Sequence, residues 1–175
     1  MRSVVKNKHI EIFVEYLKLL SSLLEKVEEH FVGDESILHE RLSPDMFPLC
    51  VQVEIAASFA LRTCCPIAGA EVNSYSREVK SFANLRAQLE DTFNYVASLD
   101  EKESNLEVVI EDMAGPAPIS MKAEDFLMRF AYPNFYFHLG MVYAIARSRG
   151  VPLTKGDFDG LHQYPPGFSF ERGDT

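Results

Sequence analysis

The residue with the clearest chemical potential is His138, the one histidine that lies within a strongly apolar helix pattern. Asn134 precedes it by four residues, a spacing that places both side chains on one face of a helix. Gln52 lies within a second apolar stretch. Burial in an apolar pocket favours the neutral imidazole, which can act in acid/base catalysis. The amides of Gln52 and Asn134 could then donate hydrogen bonds to a developing oxyanion.

A structural role suits the same three residues. Buried polar groups are generally hydrogen-bonded, so Gln52 or Asn134 could lock His138 into an internal network that fixes packing. Gln52 could instead hydrogen-bond only a backbone carbonyl. The further candidates for binding a small apolar or aromatic compound are Asp45, Tyr16, Tyr132, Tyr136 and Tyr143. The other histidines lie at element ends or in loops and are expected to be solvated; they are His9, His30, His39 and His162.

Four helices with apolar residues at three- and four-residue steps must position these groups. The first is predicted over 9–31, the third over 82–99, and the last from about Ala123 to Arg149. The second is predicted to begin with Ser43 or Asp45 as its N-cap and to end near Cys65. Its apolar run carries only two charged residues, which indicates a central helix packed on more than one side.

Two further features complete the predicted architecture. Pro133 removes an amide donor and predicts a kink near Tyr132 in the last helix. Short segments at 106–110 and 119–121 flank the turn residues Gly115 and Pro116, which predicts a β-hairpin packed on the helices. The expected fold is all-α, a four-helix bundle with a small β-hairpin before the last helix. Residues 1–160 form this domain, and 161–175 form an aromatic, proline-rich tail that is either disordered or lies over the bundle or a second subunit.

Composition narrows the class of protein. A chain of 175 residues with 47% hydrophobic and 25% charged content predicts one ordinary globular domain. The net charge of −9 argues against binding nucleic acid, which needs clustered cations. The N-terminus does not have the pattern of a secretory signal, and no uninterrupted apolar run reaches the length of a membrane span. Cys50, Cys64 and Cys65 are therefore expected to be reduced, buried thiols in a cytoplasmic protein. No nucleophile-elbow, phosphate-loop or dinucleotide motif is present.

Two segments resemble an uncharacterised family within the DinB-like superfamily. They are RLSPDMFPLCVQV, at 41–53, and YPNFYFHLGMVYAIARSRGVPLTKGDFDG, at 132–160, of which PNFYFH is the most specific part. The resemblance implies a bundle with up-down-down-up connections that is commonly a homodimer. The sequence departs from the family pattern at Lys155 and at Asp159, where an apolar residue is usual.

The resemblance also implies where a site lies. Metal-binding members of the superfamily carry one histidine on the second helix and an H-x-x-x-H pair on the last, and the matching positions here are Gln52, Asn134 and His138. Carboxamides are poor ligands for zinc or nickel, so no metal and no other cofactor is expected. The favoured hypothesis is a cofactor-independent isomerase, cyclase or lyase acting on a small molecule. The alternatives are a non-catalytic dimeric bundle with a structural Gln52/Asn134/His138 network, and a metal-dependent thiol transferase of the DinB type.

Overall fold

The computed structural model describes residues 7–165 and 168, and it is mostly helical with one small hairpin. In chain order the elements are α1 (Lys8–His30), a 3₁₀ turn (Glu35–His39), α2 (Leu49–Ile67), α3 (Phe82–Ser98), a 3₁₀ turn (Leu99–Glu101), β1 (Val109–Ala114), β2 (Ala117–Lys122), α4 (Ala123–Phe126), a π-helical turn (Leu127–Ala131), α5 (Tyr132–Ser148) and α6 (Lys155–Asp159). The predicted bounds of the first and third helices agree with α1 and α3.

Helix α2 is the centre of the fold. It packs against α5, α3 and α1, while α1 packs against α3. Its buried residues occupy nearly every side of the helix, as the predicted central position requires. By length and composition α2 alone among the described helices could cross a membrane, but 67% of its apolar window is buried inside the fold. That burial is typical of the core helix of a soluble domain.

The start of α2 differs from the prediction that Ser43 or Asp45 caps it. The helix begins at Leu49 with Pro48 as its N-cap, in extended conformation and without a side-chain cap. Proline disfavours helical dihedrals in the residue before it, so Phe47 cannot extend the helix backwards. Residues 43–46 form a separate turn, in which the amide of Met46 donates to the carbonyl of Ser43. This turn brings the Phe47 carbonyl over the first turn of α2.

The last helix does not have the kink at Tyr132 that the sequence predicted. Tyr132 keeps helical dihedrals, and the irregularity is instead the π-helical turn at Leu127–Ala131, where the Tyr132 amide donates to the Leu127 carbonyl five residues back. A π turn widens the helix locally and absorbs the missing donor and ring of Pro133 without ending the helix. Helices α4 and α5 are therefore parts of one nearly continuous helix.

The predicted hairpin is confirmed, although β1 begins three residues later than expected and β2 is longer at both ends than the predicted 119–121. Strands β1 and β2 pair antiparallel with Ala114 opposite Ala117, and Gly115 takes the positive φ of 61° that the tight turn needs. Arg62 on α2 ties the hairpin down, because its Nε and Nη2 donate to Asp112 Oδ2 at 2.8 and 2.5 Å. The hairpin is thus fastened to the central helix, as a lone two-stranded ribbon must be.

The segment after α6 turns back on that helix. Asp159 Oδ1 accepts hydrogen bonds from the amides of Leu161 and His162. The rings of His162, Tyr164 and Phe168 stack in sequence. The rest of the predicted 161–175 tail lies outside the described residues.

Candidate functional site

The structure joins two of the three residues singled out in the sequence. Gln52 Oε1 lies 2.6 Å from His138 Nδ1, across the contact between α2 and α5. Both residues are buried, Gln52 to 1% exposure and His138 to 7%. Gln52 is held in turn, since its Nε2 donates to the Phe47 carbonyl at 3.1 Å. Of the two partners considered for His138 in the sequence, Gln52 is the one that the structure places against it.

This chain of hydrogen bonds defines the tautomer of His138. Because the Gln52 amide nitrogen donates to Phe47, its oxygen faces the imidazole and can only accept. His138 Nδ1 must therefore carry a proton, and the neutral ring has its free lone pair on Nε2. Burial lowers the pKa of His138 from 6.5 to about 4, so the ring is neutral at pH 7. At this pH, His138 Nε2 is thus a base or hydrogen-bond acceptor, while Nδ1 donates its hydrogen to Gln52.

His138 Nε2 retains access to solvent. It receives no hydrogen bond from the described residues. Among those residues, the one fully enclosed side-chain nitrogen or oxygen that lacks a partner is Thr92 Oγ1. His138 Nε2 is therefore not fully enclosed. The imidazole lies between two aromatic rings: Phe59 stacks on it with 6.0 Å between centroids, and Phe137 meets it edge-on at 5.2 Å. Phe137 is 51% exposed, so one of the two rings that contact the imidazole lies at the surface.

Phe59 is a site residue that the sequence analysis missed. It follows Gln52 by seven residues, or about two helical turns, and so lies on the same face of α2. Its ring also contacts Phe130 and the guanidinium of Arg62. The seven-residue spacing was available from the sequence, but in so apolar a helix nothing distinguished this phenylalanine from ordinary core.

Asn134 forms a hydrogen bond within its own helix. Its Nδ2 donates at 2.7 Å to the carbonyl of Phe130, four residues back. Pro133 supplies no amide hydrogen to this turn, and the Asn134 side chain adds a donor there. No hydrogen bond between Asn134 and either Gln52 or His138 is recorded in the described part of the chain. The predicted network of three residues is therefore a pair. The observed hydrogen bonds of the Gln52 and Asn134 side-chain N–H groups go to the backbone carbonyls of Phe47 and Phe130, and not toward a position for a substrate oxyanion.

The residues proposed to bind substrate lie elsewhere. Asp45 is exposed, and it accepts a hydrogen bond from Ser43 Oγ at 2.6 Å. Successive residues of α5 are rotated by about 100° around the helix axis. Tyr132, Tyr136 and Tyr143 therefore lie within roughly 40° of one another around α5, on a different face from His138, which is roughly 120–160° away.

The tyrosines instead form an aromatic cluster between α1, α5 and α6. Tyr16 contacts Tyr136 and Phe158, Tyr132 stacks on Phe13, and Tyr143 meets Phe158. Burial raises the pKa of Tyr136 to about 12, and burial is also the main cause of the raised pKa values of the other three. These phenols stay protonated at neutral pH and pack against one another, not against the imidazole.

Among the remaining histidines one prediction fails. His30, His39 and His162 are exposed as expected, but His9 is buried to 7% exposure at the start of α1. Its Nε2 lies 3.4 Å from Ser104 Oγ, and burial lowers its pKa. The connector after α3 covers this end of α1, which periodicity along α1 alone does not reveal. The three cysteines are free and buried, as predicted.

The donor set at Gln52, Asn134 and His138 does not fit a zinc or nickel ion. It offers one imidazole, whose Nδ1 is already bonded to Gln52, and a carboxamide turned toward a backbone carbonyl. Catalytic sites of these metals use imidazole, thiolate or carboxylate ligands. Across residues 7–165 and 168, the structure holds no group of three or more histidine, cysteine, aspartate or glutamate side chains placed to bind a metal.

Comparison with known proteins identifies the fold. A DinB family member protein from Shewanella denitrificans, known from a crystal structure, matches with a TM-score of 0.73 and 24% identity over 89% of this chain and 92% of that one. No curated protein matches. A family model described as a domain of unknown function, DUF1993, matches residues 7–159. The chain therefore belongs to the DUF1993 family, and its fold is DinB-like.

Proposed function

We propose that this protein binds a small apolar or aromatic molecule at His138 and removes a proton from it, as a cofactor-independent isomerase, cyclase or lyase. The observation that carries the proposal is the Phe47–Gln52–His138 chain, which leaves an unprotonated Nε2 that accepts no hydrogen bond from the described residues, on a ring that contacts Phe59 and Phe137. A general base needs a free lone pair in a defined orientation, and this chain supplies both.

The three residues have separate parts in the proposal. His138 Nε2 accepts the proton from the substrate. Gln52 is a positioning residue, because its oxygen holds the ring through Nδ1 and stabilises the imidazolium that forms. The exposed ring of Phe137 offers an apolar surface on which an aromatic substrate can stack. Asn134 maintains the helix turn below the site.

A test of the base does not require the natural substrate. In 5-nitrobenzisoxazole, a base removes the proton at C3, the electron pair of that C–H bond forms the nitrile as the N–O bond breaks, and the ring opens to the coloured 2-cyano-4-nitrophenolate. The protein should accelerate this elimination, and His138→Asn should lower the protein-dependent rate by about tenfold or more. Asparagine keeps a donor near the Nδ1 position but has no basic nitrogen. His30→Asn, at an exposed histidine, is the matched control and should leave the rate unchanged.

The pH dependence sharpens the test. With a pKa of about 4, His138 is neutral throughout pH 5.5–8, so its contribution to the rate should be constant over that range. Equal rates for wild type and His138→Asn would refute the assignment of His138 as the base. Gln52→Leu should lower the rate while the protein remains folded, since the ring loses its orientation.

A non-catalytic dimeric bundle is the second candidate. It is favoured by the complete burial of the Gln52–His138 bond and by exposed apolar side chains at Phe47, Phe137 and Met128 that a second copy could cover. The pairing of α1 with α3 and of α2 with both α3 and α5 supports the up-down-down-up four-helix arrangement that both candidates share. The free thiols support a cytoplasmic location.

The two candidates predict different results. If the protein is only structural, His138→Asn lowers the free energy of unfolding, and the wild-type protein accelerates the elimination no more than His138→Asn does. Light scattering after gel filtration measures the oligomeric state directly. A monomer at micromolar concentration would rule out the dimeric candidate.

A further inference from the structure

A second polar centre lies on the other side of α2, where a cavity of about 370 Å³ separates α2, α3 and the 70–81 loop. Glu54 and Ser58, which line it from α2, lie roughly 120–160° around that helix from Gln52. The cavity is therefore separate from the His138 site. Its volume is at the small end of the range for ligand pockets.

The unusual residue in this cavity is Gln88 on α3. It is 5% exposed and lines the cavity, yet no hydrogen bond to its carboxamide is recorded anywhere in residues 7–165 or at 168. Neither atom of its amide is among the fully enclosed atoms that lack a partner, so the carboxamide faces the cavity, where a ligand can reach it. Gln88 presents one acceptor and two donor hydrogens to whatever enters the cavity.

The opposite wall supplies a further acceptor without adding net charge. Lys80 Nζ and Ser76 Oγ both donate to Glu54 Oε1, at 2.5 and 2.7 Å. Glu54 Oε2 accepts no hydrogen bond from the described residues and so can receive one from a ligand. Because Lys80 neutralises Glu54, the wall suits a neutral ligand that donates hydrogen bonds. The rest of the lining includes the apolar side chains of Val51, Ile55, Leu61 and Val72.

We propose that this cavity is a binding site for a small neutral molecule with an aliphatic body and a primary carboxamide head. A primary amide complements the Gln88 carboxamide with two antiparallel N–H···O bonds, one in each direction. Its second N–H points away from that pair, toward an acceptor such as Glu54 Oε2. The aliphatic body lies against the apolar lining residues. This binding site is independent of the function proposed for His138.

The experiment uses pentanamide as the probe on the full chain. Binding is followed by two-dimensional ¹H–¹⁵N NMR, with the Gln88 side-chain NH₂ signals assigned by their loss in Gln88→Leu. Pentanamide should shift these signals saturably, together with the backbone amide signals of the residues that line the cavity, and the backbone signals report binding in the variants. Pentanoate, which would place a carboxylate near Glu54, and N,N-dimethylpentanamide, which has no donor, should bind at least about tenfold more weakly.

Two variants locate the site, and one serves as a control. Gln88→Leu should weaken pentanamide binding by about tenfold, the loss expected for two hydrogen bonds. Ser58→Leu, on the opposite wall, should block the cavity by bulk without touching Gln88. His138→Asn should leave the affinity unchanged. Equal binding of the three probes would overturn the proposal, as would undiminished binding by a folded Gln88→Leu or Ser58→Leu protein, or the lack of any saturable shift with pentanamide.

Discussion

Replacing His138 by asparagine should change how the stability of the protein depends on pH. The wild-type imidazole is buried, and burial lowers its pKa from 6.5, the value expected in the unfolded chain, to about 4. Above pH 6.5 the ring is neutral in both states, and its titration adds nothing to the pH dependence. Between pH 6.5 and 4 the unfolded chain binds a proton that the folded protein does not bind. Unfolding therefore becomes more favourable as the pH falls.

The size of the effect follows from the two pKa values. The free energy of unfolding should fall by about 1.4 kcal/mol per pH unit between pH 6.5 and 4, a total of about 3 kcal/mol. Below pH 4 both states are protonated and the loss is complete. Asparagine does not titrate, so the difference in unfolding free energy between wild type and variant should follow this curve. The cavity left by the smaller side chain adds only a constant offset.

Urea denaturation followed by circular dichroism at pH 7.5, 6.5, 5.5 and 4.5 measures this difference. The buried His9 titrates in both proteins, and its contribution cancels. A wild-type minus His138→Asn difference that is flat between pH 7 and 4.5 would refute the argument that His138 is held neutral by burial.

Four other outcomes are expected. Thr92→Val should stabilise the protein by up to about 1 kcal/mol, because the Thr92 hydroxyl is enclosed and has no partner among the described residues. Thr63→Val should destabilise the protein by about 1 kcal/mol, because that equally buried hydroxyl donates to a carbonyl at 2.6 Å. Urea denaturation of both variants measures the contrast. Asp112→Ala should cost about 1–2 kcal/mol by leaving Arg62 unpaired, and the exposed neighbour change Glu111→Ala should cost less than about 0.5 kcal/mol. The three cysteines should resist a disulfide reagent at pH 8 in the folded protein and react in denaturant, because burial raises the pKa of each thiol. Rapid labelling of the folded protein would contradict this. Zinc at micromolar concentration should leave the melting temperature unchanged, and a rise that grows with zinc concentration would show a site that the donor set does not predict.

The elements were predictable because each depends on local pattern. The apolar stripe of α1 and the cap of α3, where Ser81 accepts from the Asn84 amide, need only nearby residues. The start of α2 was misplaced because two prolines lie close together, and choosing between them requires the turn at 43–46. The π turn before Pro133 was not predicted for a related reason. A proline can kink, end or widen a helix, and the packing around it selects among these results.

The sequence alone determined that Gln52 and His138 are polar groups in apolar helices, since a buried polar side chain among apolar neighbours needs a partner. Only the tertiary structure decided that they are each other's partners, that Asn134 belongs to its own helix, and that the tyrosines face another way. Within the described part of the chain, it also showed the Gln88 carboxamide to lack a hydrogen-bond partner. The physical reason is that helical periodicity specifies which side chains share a face of one helix, whereas the packing of that face against a neighbouring helix specifies which atoms meet.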